Sequence, residues 1–127
     1  MRTICLYFEI HQPMLLKRFR FFDIGTNHYY YDDYANATHI AEVAERSYIP
    51  ALTTLIEMVK ENNGAFKVAI GISGVACEQM EQHAPAVIEL LKELNDTGCC
   101  EFIAEPYAHG LSSLANEQAF REQVQRH

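Results

Sequence analysis

Three short apolar segments, over residues 3–10, 66–72 and 99–105, predict three β-strands. Each is almost continuously apolar and rich in strand-forming residues, which is typical of strands buried on both faces of a parallel sheet. Between them, apolar residues recur every three or four positions, as on amphipathic helices. Strands and helices therefore alternate, and this order predicts an α/β fold with parallel strands joined by right-handed crossovers.

Proline, serine and asparagine mark where the predicted helices begin. One helix is expected over residues 40–48, and Pro50 is expected to open a second one at its first position. Further helices are expected after Ser73, from Pro85 and from Asn116, whose side chain is a good N-terminal cap.

Residues 14–37 are expected to form a long irregular connection that is rich in aromatic and turn-forming residues. A connection of this length is more often functional than idle. A metal site formed by His28, Asp32, Asp33 and His39 is conceivable, but their spacing fits no standard ligand motif. Solvated loop carboxylates are the simpler interpretation.

Length and charge narrow the class of protein. The chain has 127 residues, 49% of them hydrophobic, which predicts one packed domain over residues 1–127. Its net charge of −7 argues against nucleic acid or an anionic membrane as the main partner, since both favour a basic surface. Because three strands leave two open edges, we expect the front part of a larger α/β barrel or sheet, or a homo-oligomer that covers those edges.

The sequence also bears on location. No apolar segment is long enough to span a bilayer, and the first residues lack a signal-peptide layout, so a cytoplasmic location is expected. The cysteines agree, because Cys5, Cys77, Cys99 and Cys100 contain no CxxC pair and no zinc-site spacing. They are expected to be reduced thiols.

Polar residues follow or end all three predicted strands. They are His11 and Gln12, then Ser73, then Glu101, Glu105, Tyr107 and His109. The carboxyl ends of parallel strands meet at one edge, where α/β folds bind ligands, so we expect these side chains to be neighbours. Strand alternation places Glu9 on the same face as His11, and Glu101 on the same face as Glu105.

These positions have alternative interpretations. In one interpretation Glu9 pairs with a basic residue elsewhere in the sheet, and His11 before Gln-Pro does no more than end a strand. Two carboxylates on one otherwise apolar strand, however, need partners or a function, because burying an unpaired charge costs several kcal/mol.

Residues 6–13 resemble the opening His-Gln-Pro signature of glycoside hydrolase family 57. The resemblance continues in order through residues 22–25, 31–36, 48–51, 66–69, 72–76, 98–105, 109–111 and 123–127. His-Gln-Pro alone is a weak signal, but an ordered series along the whole chain is specific. The similarity is greatest to the α-amylase-like subgroup.

The resemblance implies an incomplete (β/α)7 barrel, of which this chain would supply the first three β/α units. It implies a retaining enzyme acting on α-glucans, without a metal or other cofactor. The expected substrate-binding residues are His11, Gln12, Glu101, Glu105 and His109. Among them, His11 matches the first motif and would contact the central sugar, Glu101 matches the glutamate of the second motif, and His109 matches a histidine that follows it.

The sequence departs from the family at two places. Met14-Leu15 replaces a common aromatic-Arg pair, and Pro106 replaces a usual threonine, so sugar contacts there are in doubt. The reacting carboxylates of the family lie on the fourth strand and further on, beyond His127, so no catalytic residue is expected within this chain. Two functions of other kinds stay open: a metal-dependent sugar deacetylase, and a non-catalytic carbohydrate-binding or scaffold protein using the aromatic residues 19–34.

Overall fold

Three parallel strands form one sheet in the computed structural model, which describes residues 2–26 and 28–127. The strands are β1 (Tyr7–Ile10), β2 (Val68–Ile72) and β3 (Cys100–Ile103), in the spatial order β1-β2-β3. They pair in register, so that Tyr7, Ala69 and Glu101 lie side by side across the sheet. The predicted α/β fold with a parallel sheet is confirmed.

Helices occupy most of the rest of the chain. They are α1 (Asp33–Val43), α2 (Ile49–Glu61), α3 (Gly74–His83), α4 (Pro85–Asp96), α5 (Ser112–Ala115) and α6 (Glu117–Arg126), with a 3-10 turn at Phe21–Asp23. The predicted cap at Asn116 is present, since its side chain accepts from the Ala119 amide, and the structure shows a second cap at Ser73, whose hydroxyl accepts from the Ala76 amide. No helix in the described part of the chain combines the length and apolarity needed to cross a membrane.

One predicted helix start is wrong, and the start predicted at Pro50 is displaced by one residue. α1 begins at Asp33, inside the segment expected to be irregular, because the Asp32 carboxylate caps it by accepting from the Ala35 amide. The second helix predicted to open at Pro50 is present as α2, which begins one residue earlier, at Ile49. A π-helical turn over Ala44–Tyr48 joins α1 to α2 without interruption, and Pro50 lies in the first turn of α2, where its missing amide hydrogen costs little.

β1 is shorter and more exposed than the apolar pattern predicts. Of its four residues only Ile10 is buried, and Tyr7, Phe8 and Glu9 are exposed. β1 is an edge strand of this sheet, and among the described residues the helices cover one face. Burial on both faces is therefore not observed for this strand.

The core lies between that face of the sheet and the helices. It includes Ile10, Ile40, Leu52, Ile56, Val59, Ile70, Met80, Val87, Leu91 and Leu94. Val68 and Ile70 alternate with Ala69 and Gly71 along β2, so the two faces differ in character. The apolar face anchors the helices, and the opposite face is left to carry the polar residues of β1 and β3.

Leu94 tests where the core lies. It is 0% exposed on α4, and Leu94→Ala is expected to lower the free energy of unfolding by about 2–5 kcal/mol, since lost burial and a cavity both contribute. Leu114→Ala, at a leucine that is 80% exposed, is the matched control and should change it by less than about 0.5 kcal/mol. Urea unfolding followed by circular dichroism measures both, and equal losses would contradict this assignment of the core.

Candidate functional site

In-register pairing brings His11 and Ser73 together. Ile10 pairs with Ile72, so the residues that follow them lie at adjacent strand ends. His11 Nδ1 lies 2.7 Å from Ser73 Oγ, and Ser73 is completely buried. This contact joins the carboxyl ends of β1 and β2, as the sequence predicts for the polar residues at this edge.

His109 completes a cluster from the loop after β3. Its Nδ1 lies 2.8 Å from Glu9 Oε1 and 3.5 Å from Glu105 Oε1, and its ring stacks on His11 with 4.5 Å between the centroids. The backbone of His109 has a φ of 52°, a left-handed conformation that non-glycine residues adopt uncommonly and that often marks functional sites. Residues from two strand ends and one loop thus meet around one imidazole ring.

The surroundings of Glu105 favour the protonated, neutral form of its carboxyl group. Its side chain is only 10% exposed, and Oε1 has no hydrogen bond of good geometry among the described residues, since His109 Nδ1 is 3.5 Å away. Burial, and then the negative charge of Glu9, raise the pKa of Glu105, and His109 offsets part of this rise. Burial and the neighbouring His109 lower the pKa of His11, which favours a neutral ring.

Gly71 makes room for the cluster. A Cβ atom at this position would overlap the Tyr7 hydroxyl and lie 3.2 Å from Glu105 Oε2. Tyr7 in turn donates its hydroxyl hydrogen to Glu9 Oε2 at 3.2 Å. The sequence pattern does not single out Gly71. Tyr7 and Glu9 can be placed from the sequence, because strand alternation puts both on the face of His11.

Gln12 faces the helices instead of the cluster. Its Nε2 donates to the Tyr48 hydroxyl at 2.8 Å, and its Oε1 lies 3.0 Å from His39 Nε2. Its backbone carbonyl accepts from Gln79 Nε2 at 2.7 Å. These bonds tie the end of β1 to the helical layer.

Glu101 lies at the other end of β3. It pairs with Ala69 in the same row as Tyr7, so Ile103 separates it from the row of Glu105 along that face. Among the described residues Glu101 has no ion pair or side-chain hydrogen bond, and it is exposed. Of the predicted substrate-binding residues, the structure therefore brings His11, Glu105 and His109 together and leaves Gln12 and Glu101 apart.

One group of side chains in the described ranges has the geometry to hold a metal ion. The ligand atoms of Glu9, Glu105 and His109 all lie within 4.8 Å of one another. The loop residues considered as an alternative metal site form no such group in the described part of the chain, since Asp32 caps α1 and His39 bonds Gln12. The cluster can therefore donate and accept hydrogen bonds, exchange protons or bind a cation.

Histidines and carboxylates gathered at the strand ends of a parallel α/β fold are typical of proteins that bind or transform a ligand there. The chain belongs to glycosyl hydrolase family 57, because the model of that family matches residues 5–127.

Two relatives illustrate this membership. A protein of Methanocaldococcus jannaschii that carries the provisional name alpha-amylase is 35% identical over 130 residues, covering 98% of this chain and 27% of the relative. The crystal structure of a 4-alpha-glucanotransferase from Thermococcus litoralis matches with a TM-score of 0.65 at 20% identity, over 96% of this chain and 15% of that one. At that identity the structural likeness shows the fold. The chain spans about a quarter of the length of the curated relative.

The raised pKa of Glu105 predicts how the stability of the protein changes with pH. Its pKa is raised in the folded protein, so above its ordinary value of 4.5 the folded state holds more protons than the unfolded state. Stability is therefore expected to fall as pH rises from 4.5 through the raised pKa, and Glu105→Gln is expected to reduce this fall. Urea unfolding at a series of pH values measures it.

The matched control is Glu42→Gln, which changes an exposed carboxylate on α1. It should leave the pH dependence of the free energy of unfolding as in the wild type. A Glu105→Gln protein whose stability falls with pH as steeply as the wild type would contradict the assigned environment of Glu105.

Proposed function

We propose that the protein is a retaining glycoside hydrolase of the α-amylase type that acts on α-glucans, with this chain as part of its substrate-binding barrel. The observation that carries the proposal is family membership over residues 5–127. The names of the two relatives, one an alpha-amylase and the other a 4-alpha-glucanotransferase, support the glucan class. In this proposal, residues 1–127 form the first three β/α units of an incomplete (β/α)7 barrel.

The cluster suits a sugar ligand. A pyranose presents hydroxyl groups that both donate and accept hydrogen bonds, and sites for such ligands combine a few convergent polar groups. His11 and His109 supply ring nitrogens, and Glu9 and Glu105 supply carboxyl oxygens, within one cluster. We assign His11, Glu105 and His109 to direct sugar contact.

Gln12 and Glu101 belong to the proposed substrate-binding set in different ways. Gln12 bonds Tyr48 and His39, so it acts by holding the end of β1 that presents His11. Glu101 lies further along the same face, where it meets substrate deeper in a barrel. Neither touches the cluster itself.

The bond-breaking groups lie outside this chain in our proposal. Retaining glycosidases use two carboxyl groups about 5–5.5 Å apart, one as nucleophile and one as acid/base. The family resemblance places both beyond His127, so the chain orients the sugar and supplies no catalytic residue. The proposed reaction uses no metal or other cofactor.

A second candidate function is favoured by one observation. Glu9, Glu105 and His109 have the spacing of metal ligands, which suits a metal-dependent sugar deacetylase. Elemental analysis after dialysis separates the two candidates. Stoichiometric zinc, with release of acetate from acetylated sugars, would replace the glycosidase proposal.

A non-catalytic carbohydrate-binding or scaffold role is favoured by the exposed aromatic residues of the long loop. Phe21 and Phe22 in this loop, and Tyr34 in the first turn of α1 just after it, are all largely exposed, as on a surface that stacks sugars. Binding of maltooligosaccharides without any turnover would support this role instead.

We also propose a cytoplasmic location and coverage of the open sheet face, either by further barrel strands or by another copy of the chain. Cys5, Cys77, Cys99 and Cys100 are all free thiols, which suits a reducing compartment. Tyr7 and Ile103 leave apolar surface exposed on that face.

His109 provides the direct test of the glucan proposal. The protein at its full natural length is expected to release reducing sugar from maltooligosaccharides, and His109→Ala to lower kcat/KM about tenfold or more, because a sugar contact is lost. Lys92→Ala, at an exposed lysine on α4, is the control and should leave kcat/KM unchanged. No hydrolysis and no glucan transfer by a folded wild type would refute the proposal.

Residues 1–127 expressed alone are expected to be inactive on maltooligosaccharides, because the proposal places both reacting carboxylates elsewhere. Their exposed strand face is expected to make them aggregate or self-associate. Size-exclusion chromatography and the same sugar-release assay measure both. A monomer that hydrolyses maltooligosaccharides would place the catalytic pair inside this chain.

A further inference from the structure

The Ser73 hydroxyl makes two hydrogen bonds, and the donor of one of them is fixed. Ser73 Oγ lies 3.2 Å from the Ala76 amide nitrogen and 2.7 Å from His11 Nδ1. An amide nitrogen can only donate, so Ser73 Oγ accepts from Ala76. The single hydroxyl hydrogen is left for His11 Nδ1, the other hydrogen-bond partner that Ser73 Oγ has in the described part of the chain.

The opposite arrangement leaves a buried donor unpaired. If His11 carried its hydrogen on Nδ1, that hydrogen would point at Ser73 Oγ, and the hydroxyl hydrogen would then lose its acceptor. Ser73 is 0% exposed, so this hydrogen could not turn to bulk solvent. An unsatisfied buried donor costs about 1–3 kcal/mol, which is enough to select between two tautomers of one ring.

We propose that Ser73 is a positioning residue that holds neutral His11 with its hydrogen on Nε2, so that His11 donates a hydrogen bond to an oxygen of the substrate. The proposal deepens the proposed function and rests on it, since the oxygen is that of a glucan. Nε2 lies on the side of the ring away from Nδ1, and no described residue hydrogen-bonds to it. The stacked His109 ring restricts rotation of the imidazole.

The same oxygen thereby serves the fold and the site. By accepting from Ala76 it caps α3, and this bond fixes the direction in which its hydrogen can point. The cap of a helix next to β2 thus determines the hydrogen-bonding role of a side chain at the end of β1. Nothing in this arrangement requires His11 to change its charge.

Nitrogen-15 NMR of the full-length protein, labelled at histidine, tests the tautomer without reference to activity. The His11 signals are assigned by their loss in His11→Gln, and spectra are recorded at a pH where the ring is neutral. We expect a protonated Nε2 and an unprotonated Nδ1. A protonated Nδ1, or an even mixture of the two tautomers, would overturn the proposal.

Variants of Ser73 test its role in binding. Ser73→Ala is expected to mix the tautomers and to lower kcat/KM on maltooligosaccharides about tenfold, the effect of one hydrogen bond. Ser73→Thr keeps the hydroxyl and is expected to restore the Nε2 tautomer and most of the activity. Asn116→Ala removes the cap of α6, whose described hydrogen bonds do not involve His11, and controls for the loss of a helix cap.

The outcomes separate this proposal from the proposed function. The role of Ser73 would be refuted if His11 kept a pure Nε2 tautomer in Ser73→Ala. It would also be refuted if Ser73→Ala lost no more activity than Asn116→Ala. A wild type with the Nε2 tautomer but no action on glucans would instead refute the glucan function, and it would leave the assignment of the His11 tautomer supported.

Discussion

The site depends on the in-register pairing of three parallel strands. Because Ile10 lies beside Ile72, the next residues, His11 and Ser73, meet within hydrogen-bond distance. A slip of one residue in β1 would turn Glu9 and His11 toward the helices and destroy the cluster. The helix-covered face, with its buried Ile70, opposes such a slip, so the hydrophobic core fixes the geometry of the polar face.

The described residues satisfy the polar atoms of the cluster only in part. Glu9 and Glu105 both lie near one imidazole nitrogen of His109, and one Glu105 oxygen is buried without a hydrogen bond of good geometry among the described residues. Such an arrangement costs stability, since buried polar groups are normally satisfied. Sites that bind ligands retain this cost because the ligand supplies the missing partners, and a hydroxyl-rich sugar is suited to do so.

Much of the fold follows from the sequence, and the differences have local causes. The alternation of strands and helices, the helix that follows Ser73 and the cap at Asn116 are confirmed. The early start of α1 depends on the cap at Asp32, and the passage through Pro50 depends on a π-helical turn that apolar periodicity does not reveal. Within the site, strand alternation indicates that Glu9 shares the face of His11. The stacking of His109 on His11 and the space at Gly71 arise from tertiary contacts and could not be read from spacing.

A crystal structure of the full-length protein with a bound, non-hydrolysable maltooligosaccharide tests the central claim most directly. The claim is that the ends of β1 and β3 and the loop after β3 bind the sugar whose bond is broken. We expect sugar oxygens within hydrogen-bond distance of His11 Nε2 and of the His109 ring, with Glu105 facing the same sugar. A sugar bound away from these residues, or a metal ion held by Glu9, Glu105 and His109, would contradict it.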